Sequence, residues 1–139
     1  MKTNLLRTFI VAVLAATAVF AQNSTLLQAT IPFDFIVGNQ ALPAGQYTVD
    51  RGPATGTVMI RSADGKRAAI VLAQAVSSAV ARDTGSLVFH RYGYTYFLSE
   101  VWSPGNDGRK LSPTRREREL AARVATPADA TIAARRLVK

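Results

Sequence analysis

Residues 86–102 read SLVFHRYGYTYFLSEVW. Two runs rich in aromatic and β-branched side chains, 86–91 and 94–102, flank Tyr92-Gly93. That pair marks a hairpin, because glycine accepts the positive φ that a tight strand connection demands. Successive side chains of a strand point to opposite faces. On that alternation Tyr94, Tyr96, Leu98 and Trp102 share one face of the second strand, and Phe97 and Val101 share the other. A strand with two apolar faces needs two covers. A second sheet can supply one, and the other must come from a different part of the chain.

Upstream, residues 26–37 (LLQATIPFDFIV) alternate, with Leu27, Ala29, Ile31, Phe33, Phe35 and Val37 on one side. This is a half-buried strand. Pro32 cannot donate to a ladder, so the strand lies at an edge or carries a bulge there. Residues 46–51 (QYTVDR) follow with Tyr47 and Val49 inward, then 57–62 (TVMIRS). Asp64-Gly65 signals a two-residue turn into 67–77, whose centre, Ile70-Val71-Leu72, is apolar on both faces, as in a strand covered on both sides.

Downstream, Ser103 to Gly108 (SPGNDG) reads as a loop. Ser112-Pro113 and Thr114-x-x-Glu117 are helix start signals, and Leu120, Ala121 and Val124 form one stripe of a helix over 113–124. That helix is the natural second cover. Thr126-Pro127-Ala128-Asp129 repeats the start signal, so a weak second helix to about Leu137, or a disordered end, is expected. The fold class is mainly β: a compact antiparallel sandwich or open barrel of about six or seven strands, with one or two C-terminal helices.

The N-terminus sets the compartment. Lys2 and Arg7 precede an uncharged apolar run from Thr8 to Ala21, with Val19 and Ala21 before the polar Gln22-Asn23. This is the pattern of a cleaved signal peptide. The run is too short to span a hydrocarbon core of about 30 Å as a helix, so no transmembrane anchor is expected after cleavage. The expected organisation is a signal peptide (1–21), a β domain (22–104) and a basic helical segment (105–139) packed on it. The destination is the periplasm or the extracellular space. There is no cysteine, so the core rests on apolar burial, and lipid attachment and thiolate chemistry are excluded. The net charge of +8 is uneven. Residues 22–104 carry six Lys/Arg against five acids, and 105–139 carry nine against four. A solvated face that keeps the chain soluble is the favoured account of this charge and names no partner. The alternative partner, for an exported chain that meets acidic envelope polymers or anionic headgroups rather than nucleic acid, is an anionic envelope component or polysaccharide.

Leu42-Pro43-Ala44-Gly45-Gln46-Tyr47 is the most distinctive local pattern. Gly45 before a strand-starting Tyr47 suggests a tyrosine corner, in which the phenol bonds to backbone just upstream. Together with Ile31-Pro32-Phe33-Asp34-Phe35-Ile36-Val37-Gly38, Tyr96-Phe97-Leu98, Val101-Trp102 and Ser112 to Leu120, this stretch resembles a family of small exported acidobacterial proteins. The resemblance implies a β-rich exported protein and no particular activity. The Leu-Pro-Ala-Gly-x-Tyr piece alone also looks like transthyretin-like and other immunoglobulin-like accessory domains of secreted enzymes.

No Gly-x-Ser-x-Gly, His-Glu-x-x-His or phosphate-binding glycine loop occurs, and Asn106-Asp107-Gly108 lacks the spacing of a calcium loop. His90 is the only histidine and sits mid-strand. No catalytic, metal or cofactor site is expected, and the chain reads as a non-enzymatic structural or binding module. Tyr94, Tyr96 and Trp102 are the candidate ligand-binding residues, since aromatic rings on a sheet can stack sugars. Core packing under the helix is the favoured reading of that aromatic line, because the helix stripe needs a partner surface, and ligand binding is the alternative. A converging pocket of His90, Glu100 and an aspartate would instead favour a small hydrolase. N-terminal sequencing of the exported protein is expected to begin at Gln22. Recovery of a membrane-embedded chain beginning at Met1 would overturn the signal-peptide reading.

Overall fold

In the computed structural model, which describes residues 26–124 and 127–137, the alternation of apolar side chains builds a wall of strands. The expected signal peptide lies outside the described residues, as does Thr126. The strands are β1 (Leu27–Ile31), β2 (Phe35–Val37), β3 (Gln40–Leu42), β4 (Gly45–Arg51), β5 (Thr57–Ser62), β6 (Ala68–Arg82), β7 (Gly85–Tyr92), β8 (Thr95–Trp102), β9 (Gly105–Leu111) and β10 (Ala128–Arg136). One helix, α1 (Arg115–Arg123), lies between β9 and β10.

Eight of these strands close into an antiparallel barrel in the order β1-β4-β5-β6-β9-β8-β7-β10, with β10 pairing back onto β1. The fold is mainly β, as expected, and the compact sandwich or open barrel of about six or seven strands is corrected to a closed barrel of eight. Two strands make the difference. Residues 105–111, expected within a loop and a helical segment, pair as β9 with both β6 and β8. Residues 128–136, expected as a weak helix or a disordered end, pair as β10 between β7 and β1. The expected boundary at 104/105 thus falls inside the barrel. Asp83-Thr84 joins β6 to β7 over the tip of the β8–β9 hairpin, because Arg82 pairs with Gly105 and Ser86 with Trp102.

Inward residues fill the lumen. Leu27, Ile31, Val49, Ile60, Leu87 and Phe89 are each 0–2 % exposed. The run 26–37 is not one strand: Pro32 ends the first half, consistent with its missing donor, and the chain restarts as β2. The β2–β3 hairpin pairs with β8 along the edge that β9 leaves free, through one parallel pair, Ile36↔Phe97. Phe35 reaches inward and meets Tyr47 and Phe89 edge-on at 5.0 and 5.5 Å.

Other expectations change with position. Ile70 and Leu72 are 53 % and 75 % exposed, so β6 is covered on its inner face alone. Asp64 and Gly65 sit in a longer loop in which the Asp64 carboxylate accepts from the Ser62 hydroxyl and the Lys66 amide. Gly93 does take a positive φ, 66°, in the β7–β8 turn.

In β8 the alternation slips. Val88 faces Glu100 and Phe89 faces Leu98, which leaves Ser99 as the extra residue of a bulge. Before it, Tyr96 and Leu98 pack with the lumen; after it, Val101 does. Phe97 and Trp102 are thereby on the outer face, and the expected pairing of Tyr96 with Trp102 on one face is corrected.

α1 covers part of that outer face. Thr114 is its N-cap, accepting from the Glu117 amide at 3.2 Å. Leu120 and Val124, four positions apart and so on one side of the helix, pack on Ile36, Tyr92 and Phe97. Full burial of a leucine contributes about 1.5–3 kcal/mol, and a half-buried one correspondingly less. Placing a carboxylate there adds a desolvation penalty. Leu120→Asp is therefore expected to lower the melting temperature by on the order of 5 °C, and Arg116→Ala to leave it nearly unchanged. Two silent substitutions would show that α1 is not part of the folded core.

Candidate functional site

One row of outward residues crosses four strands beneath α1. Asp129 of β10 pairs with His90 of β7, His90 with Phe97 of β8, and Phe97 with Ile36 of β2. Tyr92, two residues beyond His90, lies on the same face. From above, α1 lowers Glu117 onto this row. Glu117 is 5 % exposed, the most deeply buried charged residue type among the described residues. Its Oε1 lies 3.0 Å from His90 Nδ1 and accepts from the Tyr92 hydroxyl at 3.2 Å. His90 Nε2 points toward Asp129 Oδ1 at 3.8 Å, beyond hydrogen-bond length.

A buried carboxylate persists only where donors replace water. Here two donors of β7 do so, and the first-turn position of Glu117 is also favoured by the helix dipole. In a capping box the N3 glutamate turns back to its own N-cap. Glu117 instead spends its side chain on β7, which converts a local cap into a tertiary tie. Burial, and next the Glu117 charge, raise the Tyr92 phenol above its ordinary range.

Beside this tie is a pocket of about 280 Å3, walled by Ile36, Val71, Phe97 and Leu111 with Glu117 at its edge. The hydroxyl that reaches the same carboxylate is that of Tyr92, already donated to Glu117. Glu100, the carboxylate considered from the sequence, accepts instead from Trp102 Nε1 at 2.7 Å. Among the described residues no group of three or more His, Asp or Glu side chains is arranged to hold a metal ion.

The structure does not bring the aromatic candidates together. Tyr94 is fully exposed at the β7–β8 turn. Tyr96 stacks on Phe33 with ring centroids 3.8 Å apart and borders the lumen. Trp102 lies six residues on, about 20 Å along the strand, and on the outer face. It is 7 % exposed, with the Arg82 guanidinium 4.3 Å from its ring centroid. Gly108 lies against the same ring, where an added Cβ would stand 2.5 Å from a ring carbon. Tyr47 donates from its hydroxyl to the Pro43 carbonyl at 2.6 Å, and Gly45 opens β4 opposite Ile31. Asp34 Oδ1 accepts from the Ala44 amide at 2.9 Å, so the two motifs around Phe33 and Gly45 are one unit.

No known protein family, curated protein or solved structure matches this chain. Sequence reading named His90 but missed Glu117 and Asp129 as its partners. The capping-box signal found Glu117 in the wrong role, and nothing local to Asp129 pointed to a strand beside His90.

Both Tyr92 and Tyr47 have phenols raised above the ordinary value of 10.0, each chiefly by burial. A raised phenol binds its proton more tightly in the folded chain. Its contribution to stability is complete below about pH 10 and is lost as pH rises through the folded value. The denaturation midpoint is therefore expected to hold steady up to that range and then fall, alongside delayed phenolate absorbance. Tyr92→Phe should make the alkaline fall shallower. An identical alkaline profile in that variant would show that Tyr92 ionises freely in the folded state.

Proposed function

We propose that the protein is an exported, non-enzymatic module that binds an acidic polymer of the cell envelope through the arginine face of α1. The observation that carries this reading is the way α1 is held. Glu117, Leu120 and Val124 fix its inner side to β2, β7 and β8. Arg115, Arg116, Arg118 and Arg123 are all exposed. Among the described ion pairs one involves these arginines, Arg115 with Glu119 at 3.0 Å. Eight residue steps of helix span about 12 Å, close to the Debye length of ~10 Å at 0.1 M salt. The charges therefore act together on one polyanion, and a docked helix presents them without the ordering loss of a free tail.

Export rests on the signal-peptide pattern of residues 1–21 and on the resemblance of Ile31–Gly38 and Leu42–Tyr47 to small exported proteins. The non-enzymatic part is supported by the role of His90, whose nearest partners tie down a helix. The dispersal of Tyr94, Tyr96 and Trp102 favours charge over sugar stacking as the binding mode.

Binding of the mature chain to polygalacturonate, with a neutral glucan as control, tests this. Affinity is expected to fall steeply with salt, since the Debye length shrinks from ~10 Å at 0.1 M to ~3 Å at 1 M. The triple change R116E/R118E/R123E should weaken it at least tenfold, each exposed charge acting through water at roughly 1 kcal/mol or less. Binding that ignores salt and the triple change, or that is lost with Trp102→Ala in a folded protein, would overturn the arginine-face reading.

A further inference from the structure

The inward positions in the middle of the barrel are apolar, and toward one end three strands each carry an inward arginine. On β4 the inward series is Tyr47, Val49, Arg51; Arg51 pairs with the inward Val58. On β10 it is Ile132, Ala134, Arg136, with Arg136 opposite the buried Leu27. On β9 it is Leu111, Arg109 and then Asp107, with Arg109 opposite the buried Val101. All three arginines line one open pocket of about 220 Å3. Its floor is Leu27, Val49, Val58 and Val101, none more than 6 % exposed. None of the ion pairs among the described residues involves these arginines.

We infer that this end of the barrel is a binding site for a small organic anion, a carboxylate or phosphate group joined to a short apolar chain. Guanidinium groups match both kinds of oxyanion through paired N–H donors. An apolar floor with a few convergent polar groups is the general form of a small-ligand site, and barrel mouths are a favoured place for one. The volume lies below the usual 300–1,000 Å3 of a drug-sized site, which limits the chain to a few carbons.

Asp50 and Asp107 also line the mouth. Asp50 Oδ1 accepts from the Arg51 amide at 2.6 Å, which turns that carboxylate toward its own backbone. Asp107 is exposed. Three positive and two negative groups leave a small net charge. An anion must sit between the guanidinium groups to be held, and the apolar floor then decides which anions stay. This site is separate from the arginine face of α1 and does not rest on it.

Titration of the mature protein with hexanoate, hexyl phosphate, hexanol and inorganic phosphate, read by calorimetry and by backbone amide shifts, tests the inference. Hexanoate and hexyl phosphate are expected to bind saturably and to shift amides of β4, β9 and β10 around Arg51, Arg109 and Arg136. Hexanol and inorganic phosphate should bind at least tenfold more weakly. Arg51 and Arg136 are exposed, so R51Q and R136Q should keep the melting temperature and each weaken hexanoate about tenfold, as loss of a charged hydrogen bond does. D107N should tighten it, whereas a zwitterionic ligand would be weakened by the same change. The α1 triple change should leave hexanoate binding intact, which separates a failure here from a failure of the polymer reading. Equal binding of hexanol, equal binding of inorganic phosphate (an adventitious ion only), or no hexanoate shifts at the mouth would each overturn the inference.

Discussion

Closing the barrel is the constraint on which the rest depends. A wall running from β10 through β1 to β9 leaves no unpaired edge only if the chain returns between β7 and β1 after finishing beside β8. An open edge would expose a row of backbone donors and acceptors. Because β9 adjoins β8 and β10 adjoins β7, the connection between them must cross the outer faces of β8 and β7. α1 is that crossing. Its position follows from strand order rather than from any affinity of an isolated helix for the sheet.

This explains why the outer face buries apolar side chains where α1 passes, whereas the outward Ile70 and Leu72 of β6 stay exposed. Phe97, Tyr92 and Ile36 are buried on the outer surface because the helix lies on them. A single stripe of Leu120 and Val124 gives such a short helix little to bury. The Glu117 tie to His90 and Tyr92 adds direction, since its two hydrogen bonds are satisfied in one position of the helix. Leaving those donors unpaired would cost about 1–3 kcal/mol each. A polar tie of this kind fixes a register that apolar contact alone would leave loose.

Much of the wall could be read from alternation, and the reasons for the failures are local. In β1 and β4, Leu27, Ala29, Tyr47 and Val49 alternate with polar residues and are buried as that pattern implies. β10 also alternates, but its inward Ala130 and Ala134 and its outward Ala133 are alanine, the residue that most favours a helix. Pairing with β7 and β1 overrides that preference. β9 shows no apolar period because Asp107 and Arg109 occupy inward positions at an open end, where solvent replaces the core. Trp102 was placed on the face of Tyr96 because one extra residue, Ser99, inverts the phase of the strand. The site was harder still. Glu117 is 27 residues from His90, and the strand carrying Asp129 had not been recognised as a strand.

The same reasoning applies to the arginines of the mouth. If β9 were a loop, Arg109 would be one more solvated charge in a basic C-terminal segment, and the excess of nine cations over four acids there would have a single meaning. With β9 and β10 in the wall, that excess divides. Arg115, Arg116, Arg118 and Arg123 belong to the outer helix, whereas Arg109 and Arg136 belong to the inward series of two barrel strands and join Arg51 from the near-neutral half of the chain. An inward position at a barrel end could be filled by an apolar residue continuing the core, or by a short polar one meeting solvent. Arginine on three strands at once does neither. Its long stem covers the apolar floor while its head stays in water, so the end is wet and cationic above and dry below. That layering suits a ligand with the same division, and it arises only because two segments with poor strand patterns close the barrel.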